Sequence, residues 1–343
     1  MNDVFGNSDN LALNFVIVTP PYNSASGGPI ALHRLAHELN SIGHRAYLWS
    51  SAKNREWSGE LVQARDPMDM VQPIPYYIAK PIVIYPEITI GNPLQAVYVV
   101  RWILMTPGVN GGDGVYGEKD LIMLWSDKFT VSMKYKVGGL LTTWRDYSHF
   151  QDLKLPRSGV CYAVRKGFNK SLNQHPRDAF RIDDYGERGG DAYLINIFNR
   201  FEQFICYDHA SMLPTLAALC GCVSVVIPDG FHSRRHLEEM GDTFDGVAWG
   251  FKDLARARGT LPYARAALER RIQESRVQLT DFIGLCYKQW PELKKNIPVQ
   301  ERGLQVVAND VQARSKPHPQ LRQRMTYVEA PQRGNVLLQR LRK

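Results

Sequence analysis

Basic side chains able to hold a diphosphate follow one of the apolar runs of the chain. The segment GVCYAVRKG (159–167) is typical of a strand; Arg165 and Lys166 stand near its end, and Lys170 follows closely. An Arg side chain grips two phosphate oxygens at once, and a Lys adds a compact positive charge. Cations also follow strands on ordinary surfaces, so the pattern suggests a diphosphate site and leaves a plain surface loop as the alternative.

Two carboxylates end other apolar runs. Asp208 ends the run FICYD, and Glu87 ends the run PIVIYPE. Asp208 either accepts hydrogen bonds from ribose hydroxyls or caps the helix that follows it. Glu87 either binds acceptor hydroxyls or acts as a base, or else it is a cap or a salt-bridge partner of Arg101. Both sets of interpretations stay open at this point.

A glycine pair opens the helix that follows the first apolar run. Gly27 and Gly28 come between NFVIVT (14–19) and an amphipathic helix predicted over residues 30–42. Open α/β sheets bind ligands in this strand-loop-helix context, and glycines there permit a close backbone approach. The N-terminus of the helix also favours an anion. A simple turn of small residues is the alternative.

Two other glycine-rich segments lack that context. GVNGGDGVYGEKD (108–120) is predicted to lie between a helix over VYVVRWIL (97–104) and a strand over DLIMLWS (120–126). This order is the reverse of the one in a dinucleotide-binding motif. We therefore expect a surface loop there and also at GERGGD (186–191).

Short β-favouring runs alternate with helical patterns along most of the chain, which predicts an α/β fold with mostly parallel strands. The alternation restarts after a polar segment at 143–158. The prediction is therefore two Rossmann-like domains that face a cleft, at 1–150 and 157–297, followed by a basic tail at 298–343. A long helix is expected over 263–290, and the tail, rich in Pro, Gln and Arg, is expected to be weakly ordered.

The charge distribution argues against a nucleic-acid partner. The 343 residues carry a net charge of +8, but residues 298–343 hold nine Lys/Arg and three Asp/Glu, which leaves only +2 for the rest. The basic amphipathic segment NVLLQRLRK (335–343) suggests peripheral contact with an anionic membrane, with a disordered tail as the alternative. No apolar run approaches the roughly 18 residues that span a bilayer, and no secretory signal is expected. The five cysteines follow no disulfide framework, so a cytoplasmic location is expected.

Motifs for several other chemistries are missing from the sequence. No Cys or His pair completes a four-ligand metal set, and neither a GxSxG elbow nor a Walker loop occurs. His209 fits an ordinary loop as well as a catalytic site. A metal site, serine hydrolysis and P-loop NTPase activity are therefore not expected.

Four segments together resemble the GT-B glycosyltransferases, especially the GT4-like group that makes bacterial surface polysaccharides. They are SGGPIALHRLAHELNSIGHRAYLW, YPEITIGNPLQAVYVVRWILMTPG, VRKG and YDHASMLPTLAALCGCVSVVIP, and the resemblance spans roughly residues 14–290. It implies metal-independent transfer of a sugar from a nucleotide-diphosphate sugar to a glycan or lipid-linked acceptor. The nucleotide sugar is the donor substrate, and no cofactor is implied.

The resemblance also implies roles for the residues above. In that family the donor lies on the C-terminal half, so Arg165, Lys166 and Lys170 would hold its diphosphate. Gly27 and Gly28 would approach the phosphate or the transferred sugar. Charge on the leaving diphosphate would be stabilised by the cations, and an inverting reaction would need a base.

Glu87 is the candidate for that base. One departure from the family bears on the donor. The usual helix carries two glutamates eight positions apart; here Asp208 takes the first place and Leu216 the second. Two alternatives follow: a non-catalytic GT-B-like scaffold subunit, which Leu216 favours, and a nucleotide-sugar epimerase on the same architecture.

Overall fold

The computed structural model describes residues 12–23, 26–51, 59–62, 77–144, 146–167, 169–239, 243–294, 302–308 and 323–329. The strands are β1 (Asn14–Thr19), β2 (Arg45–Ser51), β3 (Gly59–Val62), β4 (Tyr77–Ile78), β5 (Ile82–Pro86), β6 (Tyr98–Ile103), β7 (Leu121–Leu124), β8 (Val137–Leu140), β9 (Val160–Ala163), β10 (Phe180–Arg181), β11 (Gln203–Cys206), β12 (Val223–Val226), β13 (Val247–Trp249), β14 (Arg302–Ala308) and β15 (Gln323–Glu329). The α-helices are α1 (Gly27–Ser41), α2 (Asp191–Phe198), α3 (Leu213–Leu219), α4 (Arg234–Glu239), α5 (Leu254–Thr260) and α6 (Ala264–Gln289).

Two sheets of parallel strands organise the chain. The first half carries a seven-stranded sheet in the order β3-β2-β1-β5-β6-β7-β8, in which only β3 runs antiparallel to its neighbour. The second half carries a five-stranded sheet in the order β10-β9-β11-β12-β13, with every pair parallel. Strands of a parallel sheet that are buried on both faces have nearly unbroken apolar runs, as β5, β6 and β12 do. The predicted α/β class with two Rossmann-like sheets is confirmed.

Helix α1 shows how the sequence determines one layer of the first half. Leu32, Leu35 and Leu39 recur at helical spacing, and all three are buried in the core beneath the first sheet. The helix ends at Ser41, and Gly43 follows with a φ of 91°, a left-handed conformation that suits glycine at a helix end. This turn returns the chain directly into β2.

Helix α6 connects the two cores. Its first turns place Ala264 and Leu268 in the core of the second half. Its last turns place Phe282 in the core of the first half, where the ring lies 6.0 Å from that of Phe15. Burying one such phenylalanine is worth roughly 1.5–3 kcal/mol. The helix predicted over 263–290 is confirmed, and it joins the halves by packing.

The segment 97–104 corrects a prediction, because it forms strand β6 and not a helix. It holds β-branched and aromatic residues over only six positions, and every one of them is buried. A short apolar run buried on both faces gives no periodicity that separates helix from strand. The glycine-rich segment 108–120 therefore follows a strand, but it is a loop, as expected: this fully described stretch lies between β6 and β7.

The tail contains structure that its composition did not predict. Strands β14 and β15 pair antiparallel, and β14 also pairs with β4. The segment 335–343, for which membrane contact was predicted, lies outside the described residues. Among the helices that are described, none is both long enough and apolar enough to cross a membrane.

Candidate functional site

Arg165 sits in a strained turn directly after β9. Its φ of 51° is a left-handed conformation that a non-glycine residue rarely adopts. The Asp183 carboxylate holds this turn by accepting hydrogen bonds from the backbone N–H groups of Val164 at 3.0 Å and Arg165 at 2.7 Å. The Arg165 guanidinium carbon lies 5.3 Å from the centre of the Tyr185 ring. Strain of this kind costs about 1–3 kcal/mol and is concentrated at functional sites.

Lys166 and Asp208 meet where β9 and β11 end. The Lys166 backbone nitrogen lies 3.5 Å from Asp208 Oδ2, and the Ala210 N–H donates to Asp208 Oδ1 at 3.0 Å. Gly167 makes this approach possible, since a Cβ there would lie 2.2 Å from the carbonyl oxygen of Tyr207. Asp208 is therefore a buried carboxylate, 7% exposed, at the centre of the turn.

The interpretation of Asp208 as a helix cap is wrong. Helix α3 begins at Leu213 and its N-cap is Met212, four residues beyond Asp208. The carboxylate instead binds the backbone of its own turn and of the Lys166 turn. It is thus positioned between two loops at the edge of the second sheet.

Lys170 spans from the β9 loop to the end of β12. Its ammonium group donates to the carbonyl oxygen of Ile227 at 2.7 Å. Burial lowers the pKa of Lys170, while the nearby charges of Asp229 and Asp208 act in the opposite direction. The Lys170 side chain is thus bound to the second sheet by a hydrogen bond, whereas the Lys166 side chain is exposed.

Glu87 lies at the end of β5 and is only 4% exposed. Its Oε2 accepts a hydrogen bond from the Leu104 N–H at 3.0 Å. Burial raises the pKa of Glu87, although backbone hydrogen bonds and the positive charge of Lys166 partly oppose this rise. Lys166 belongs to the second half, so its charge acts on this carboxyl group from the other sheet edge.

The predicted alternative of a Glu87–Arg101 salt bridge is wrong. Arg101 pairs with Asp120 at 2.7 Å and donates to the carbonyl oxygens of Thr89 and Gly91. These contacts tie β6 to the loop before β7 and to the turn after β5. Arg101 therefore has a structural role, and the carboxylate of Glu87 is held by backbone N–H groups.

Gly27 and Gly28 form the first turn of α1, at the same sheet edge as Glu87. A Cβ on Gly28 would lie 3.9 Å from the Leu104 side chain, and one on Gly27 would meet no described atom within 4 Å. Neither glycine has a left-handed φ. The described fold therefore does not require a glycine at position 27. A close approach of a ligand to this turn would explain the glycine.

A cavity of about 110 Å³ lies between the halves, beyond the ends of β7, β8 and β11. The first half contributes Trp125, Thr142 and Trp144 to its wall, and the second half contributes His209 and Thr215. The two tryptophan rings lie 5.8 Å apart, and among the described residues neither buried indole nitrogen has a hydrogen-bond partner. An aromatic wall suits the apolar face of a sugar.

None of the predicted residues lines this cavity, and Asp208 adjoins it along the chain. Asp208 immediately precedes His209, the first residue of the wall on that strand. The cavity and the Arg165–Asp208 turn therefore occupy neighbouring positions along the carboxyl edge of the second sheet. Leu216, which stands where the resemblance implies a ribose-binding glutamate, is buried in the core of the second half and offers no polar contact.

Three side chains brought together by the fold were missed from the sequence. His209 Nδ1 lies 3.6 Å from Asp229 Oδ2, and His232 Nδ1 lies 2.6 Å from the same oxygen. In the described part of the chain this trio is the group with the spacing of metal ligands. The sequence held one signal for part of this trio. Asp-Gly-Phe-His (229–232) comes shortly after an apolar strand, and such a turn folds the histidine back onto the carboxylate.

No protein-family model matches the chain, and no curated protein matches it either. The support for a function therefore comes from the arrangement of the site itself. That arrangement places cations, a buried carboxyl group and an aromatic cavity at the carboxyl edges of two parallel sheets.

Proposed function

We propose that the chain is a metal-independent, GT-B-like glycosyltransferase that moves a sugar from a nucleotide-diphosphate sugar to a glycan or lipid-linked acceptor. The observation that carries the proposal is the strained Arg165–Lys166 turn at the carboxyl edge of a parallel sheet. Parallel α/β sheets bind ligands at this edge. A cation pair placed there by a strained backbone favours a diphosphate, because Arg and Lys provide the charge-assisted hydrogen bonds that phosphate oxygens accept.

The two halves supply different parts of the reaction. The bond between the anomeric carbon and the diphosphate oxygen breaks, and the bonding electron pair leaves with the diphosphate. The acceptor hydroxyl oxygen then forms the new bond to that carbon and gives up its proton. Arg165 and Lys166 stabilise the leaving charge, and well-placed donors of this kind are each worth about 2.7–4 kcal/mol, or two to three decades of rate.

Glu87 is the base in this scheme. Burial raises the pKa of its carboxyl group, which brings the group closer to the pH at which a base works best. Gly27 and Gly28 open the helix on the same edge and leave room for the donor phosphate or sugar. The tryptophan-walled cavity provides an apolar surface for a sugar of the acceptor.

The proposal includes a cytoplasmic protein that meets lipid-linked acceptors at the membrane surface. All five cysteines are free and buried, which agrees with a reducing compartment. The membrane contact rests on the basic amphipathic segment at 335–343. Deleting residues 298–343 should then lower binding to anionic liposomes.

Donor turnover by single variants tests the proposal. Wild type, Arg165→Ala, Lys166→Ala and Arg200→Ala are incubated with a panel of nucleotide-diphosphate sugars, and release of the nucleoside diphosphate is measured. We expect Arg165→Ala to lower turnover about 100- to 1000-fold. Arg200 is the matched control, because this arginine of the second half is exposed and its guanidinium donates to Asn196, one helical turn earlier in the chain.

A non-catalytic scaffold is the second candidate, because the core position of Leu216 removes one expected polar contact to ribose. Zero turnover of every donor by wild type, together with equal donor binding by wild type and Arg165→Ala, would support the scaffold and contradict the transferase. Turnover that falls in Arg165→Ala and persists in Arg200→Ala supports the transferase.

A further inference from the structure

The trio of His209, Asp229 and His232 lies at the ends of two neighbouring strands. His209 comes three residues after the end of β11, and Asp229 comes three residues after the end of β12. His232 lies in the loop before α4 and folds back onto Asp229. Residues far apart in sequence thus converge on one point, which is why spacing along the chain predicted no metal site.

The backbone fixes the carboxylate of Asp229 with one oxygen facing both imidazoles. Its Oδ1 accepts hydrogen bonds from the N–H groups of Phe231 at 3.0 Å and His232 at 2.9 Å. Its Oδ2 is the atom that lies 3.6 Å from His209 Nδ1 and 2.6 Å from His232 Nδ1. Outer hydrogen bonds that orient a carboxylate in this way are a regular feature of metal sites.

The separations fit a small divalent cation. Zinc binds His nitrogen and carboxylate oxygen at about 2.0–2.2 Å, so tetrahedral ligands lie about 3.3–3.6 Å apart. One ligand atom from each residue of the trio can be chosen so that all lie within 4.8 Å of one another. The His232–Asp229 separation is that of a hydrogen bond, and a small rotation of the imidazole would make room for the ion.

We infer that His209, Asp229 and His232 bind a divalent transition-metal cation of the zinc class. Two imidazoles and one carboxylate suit Zn²⁺, Co²⁺ or Ni²⁺ better than Mg²⁺ or Ca²⁺, which prefer oxygen ligands alone. Three protein ligands leave at least one coordination position open. The side chains are 29%, 11% and 35% exposed in chain order, so that position is accessible to solvent.

An ion bound by the trio would lie beside the cavity. His209 contributes to the cavity wall, and the charge of Asp229 acts to raise the pKa of Lys170. A cation there would present its open position at the same sheet edge as the Arg165 turn. The glycosyl transfer proposed above has no step through this ion, and the inference stands on the trio alone.

Metal binding by the full chain tests the inference without any donor or acceptor. The protein is stripped with a chelator and then titrated with Co²⁺ and, separately, Zn²⁺, with visible absorption of Co²⁺ and equilibrium dialysis of Zn²⁺ as readouts. We expect one tightly bound equivalent and the visible bands of cobalt bound by nitrogen and oxygen. His209→Gln and His232→Gln should each weaken binding at least about 10- to 100-fold.

His236→Gln and His175→Gln are the matched controls and should bind as wild type does. His236 stacks against the His232 ring but is not one of the trio, and His175 contacts Tyr207 elsewhere on the second half. Urea denaturation of each variant shows whether it is folded, and if one of the two single variants does not fold, the other carries the test. Wild type without a stoichiometric ion, or a folded His209→Gln or His232→Gln variant that binds it as tightly as wild type, would overturn the site. Because the assay contains no nucleotide sugar, that result is independent of the transferase proposal.

Discussion

The pKa values of the carboxylates at the two sheet edges shift in opposite directions on folding, although burial acts on both in the same direction. At the first edge, burial raises the pKa of Glu87, and its backbone hydrogen bonds do not reverse this rise. At the second edge, burial also acts to raise the pKa of Asp183, but hydrogen bonds from Arg181 and from the N–H groups of Arg165 and Val164 lower it overall. The two edges share one topology and differ in how densely they surround a carboxylate with donors and cations.

This difference indicates a division of roles between the halves. The second edge keeps the Asp183 carboxylate ionised and uses it to hold the loop that carries Arg165. The first edge keeps one carboxyl group in a poorly solvated position, where it exchanges a proton more readily near neutral pH. A site that must bind an anion on one side and remove a proton on the other needs both environments.

The largest expected effect concerns the loop that supports Glu87. A Cβ on Gly112 would lie 2.1 Å from the Glu87 carbonyl oxygen, and Gly112 has a φ of 82°. Gly112→Ala should therefore lower the free energy of unfolding in urea by roughly 2–5 kcal/mol, from overpacking and left-handed strain together. At the second edge Gly167→Ala meets a backbone oxygen without the unfavourable φ, so we expect a smaller loss of roughly 1–3 kcal/mol.

Gly27→Ala is the control for both glycine variants, since a Cβ there meets no described atom within 4 Å. Its stability should stay within about 0.5 kcal/mol of wild type. A Gly112→Ala protein as stable as Gly27→Ala would show that the loop does not support the Glu87 turn.

The second effect concerns the carboxylate that holds the Arg165 turn. Asp183→Asn should cost roughly 1–2 kcal/mol at pH 7, because the charge-assisted hydrogen bonds from Arg181 and the turn are weakened. The pKa of Asp183 is lowered on folding, so its contribution to stability is complete above the unfolded pKa of about 3.9 and is lost as the pH falls through the folded pKa. The difference between wild type and variant, measured by urea denaturation, should therefore shrink below about pH 4.

The exposed Asp178 provides the comparison for Asp183. Asp178→Asn should change stability by less than about 0.5 kcal/mol at either pH. If Asp183→Asn behaved in the same way, the Arg165 turn would not depend on the carboxylate.

The sequence predicted elements well and contacts poorly, for a physical reason. Runs such as NFVIVT and the helical spacing of Leu32, Leu35 and Leu39 are local signals, and the structure forms β1 and α1 there. The run at 97–104 was misread because a strand buried on both faces shows no alternation.

Site residues were predictable where they followed a strand directly and not where the fold assembled them. Arg165, Asp208 and Glu87 were found because each comes within a few residues of a strand end. The metal-spaced trio depends on β11 and β12 being neighbours in the sheet, which no spacing along the chain reveals. The ion pair of Arg101 likewise depends on the fold, because the loop after β6 brings Asp120 to the guanidinium.

A third, smaller effect separates backbone strain from side-chain function at Arg165. Arg165→Gly should be more stable than Arg165→Ala by about 0.5–1 kcal/mol, because glycine adopts the left-handed conformation without a Cβ penalty. In the first half Gln95, with a φ of 50°, should show the same preference for Gly over Ala. Donor turnover should fall in both Arg165 variants and in neither Gln95 variant. Arg165→Gly with wild-type turnover would contradict the role of the guanidinium.

The smallest effect is the pH dependence that Glu87 gives to the first half. Because its folded pKa lies above the unfolded value, the folded chain retains a proton that the unfolded chain has released, and stability falls as the pH rises through that window. Gln cannot titrate, so Glu87→Gln should gain stability relative to wild type as the pH rises above about 4.3, the ordinary pKa of Glu. This trend runs opposite to that of Asp183→Asn, and urea denaturation over the same pH series measures both.

Lys166→Ala sharpens this last comparison across the two halves. The positive charge of Lys166 lowers the pKa of Glu87, so removing it should move the pH window of Glu87 upward. The gain from Glu87→Gln should then extend to higher pH in the Lys166→Ala background than in wild type. An unchanged window would mean that the two edges do not act on each other, and Glu87 would then be a structural group of the first half, held by the Leu104 N–H.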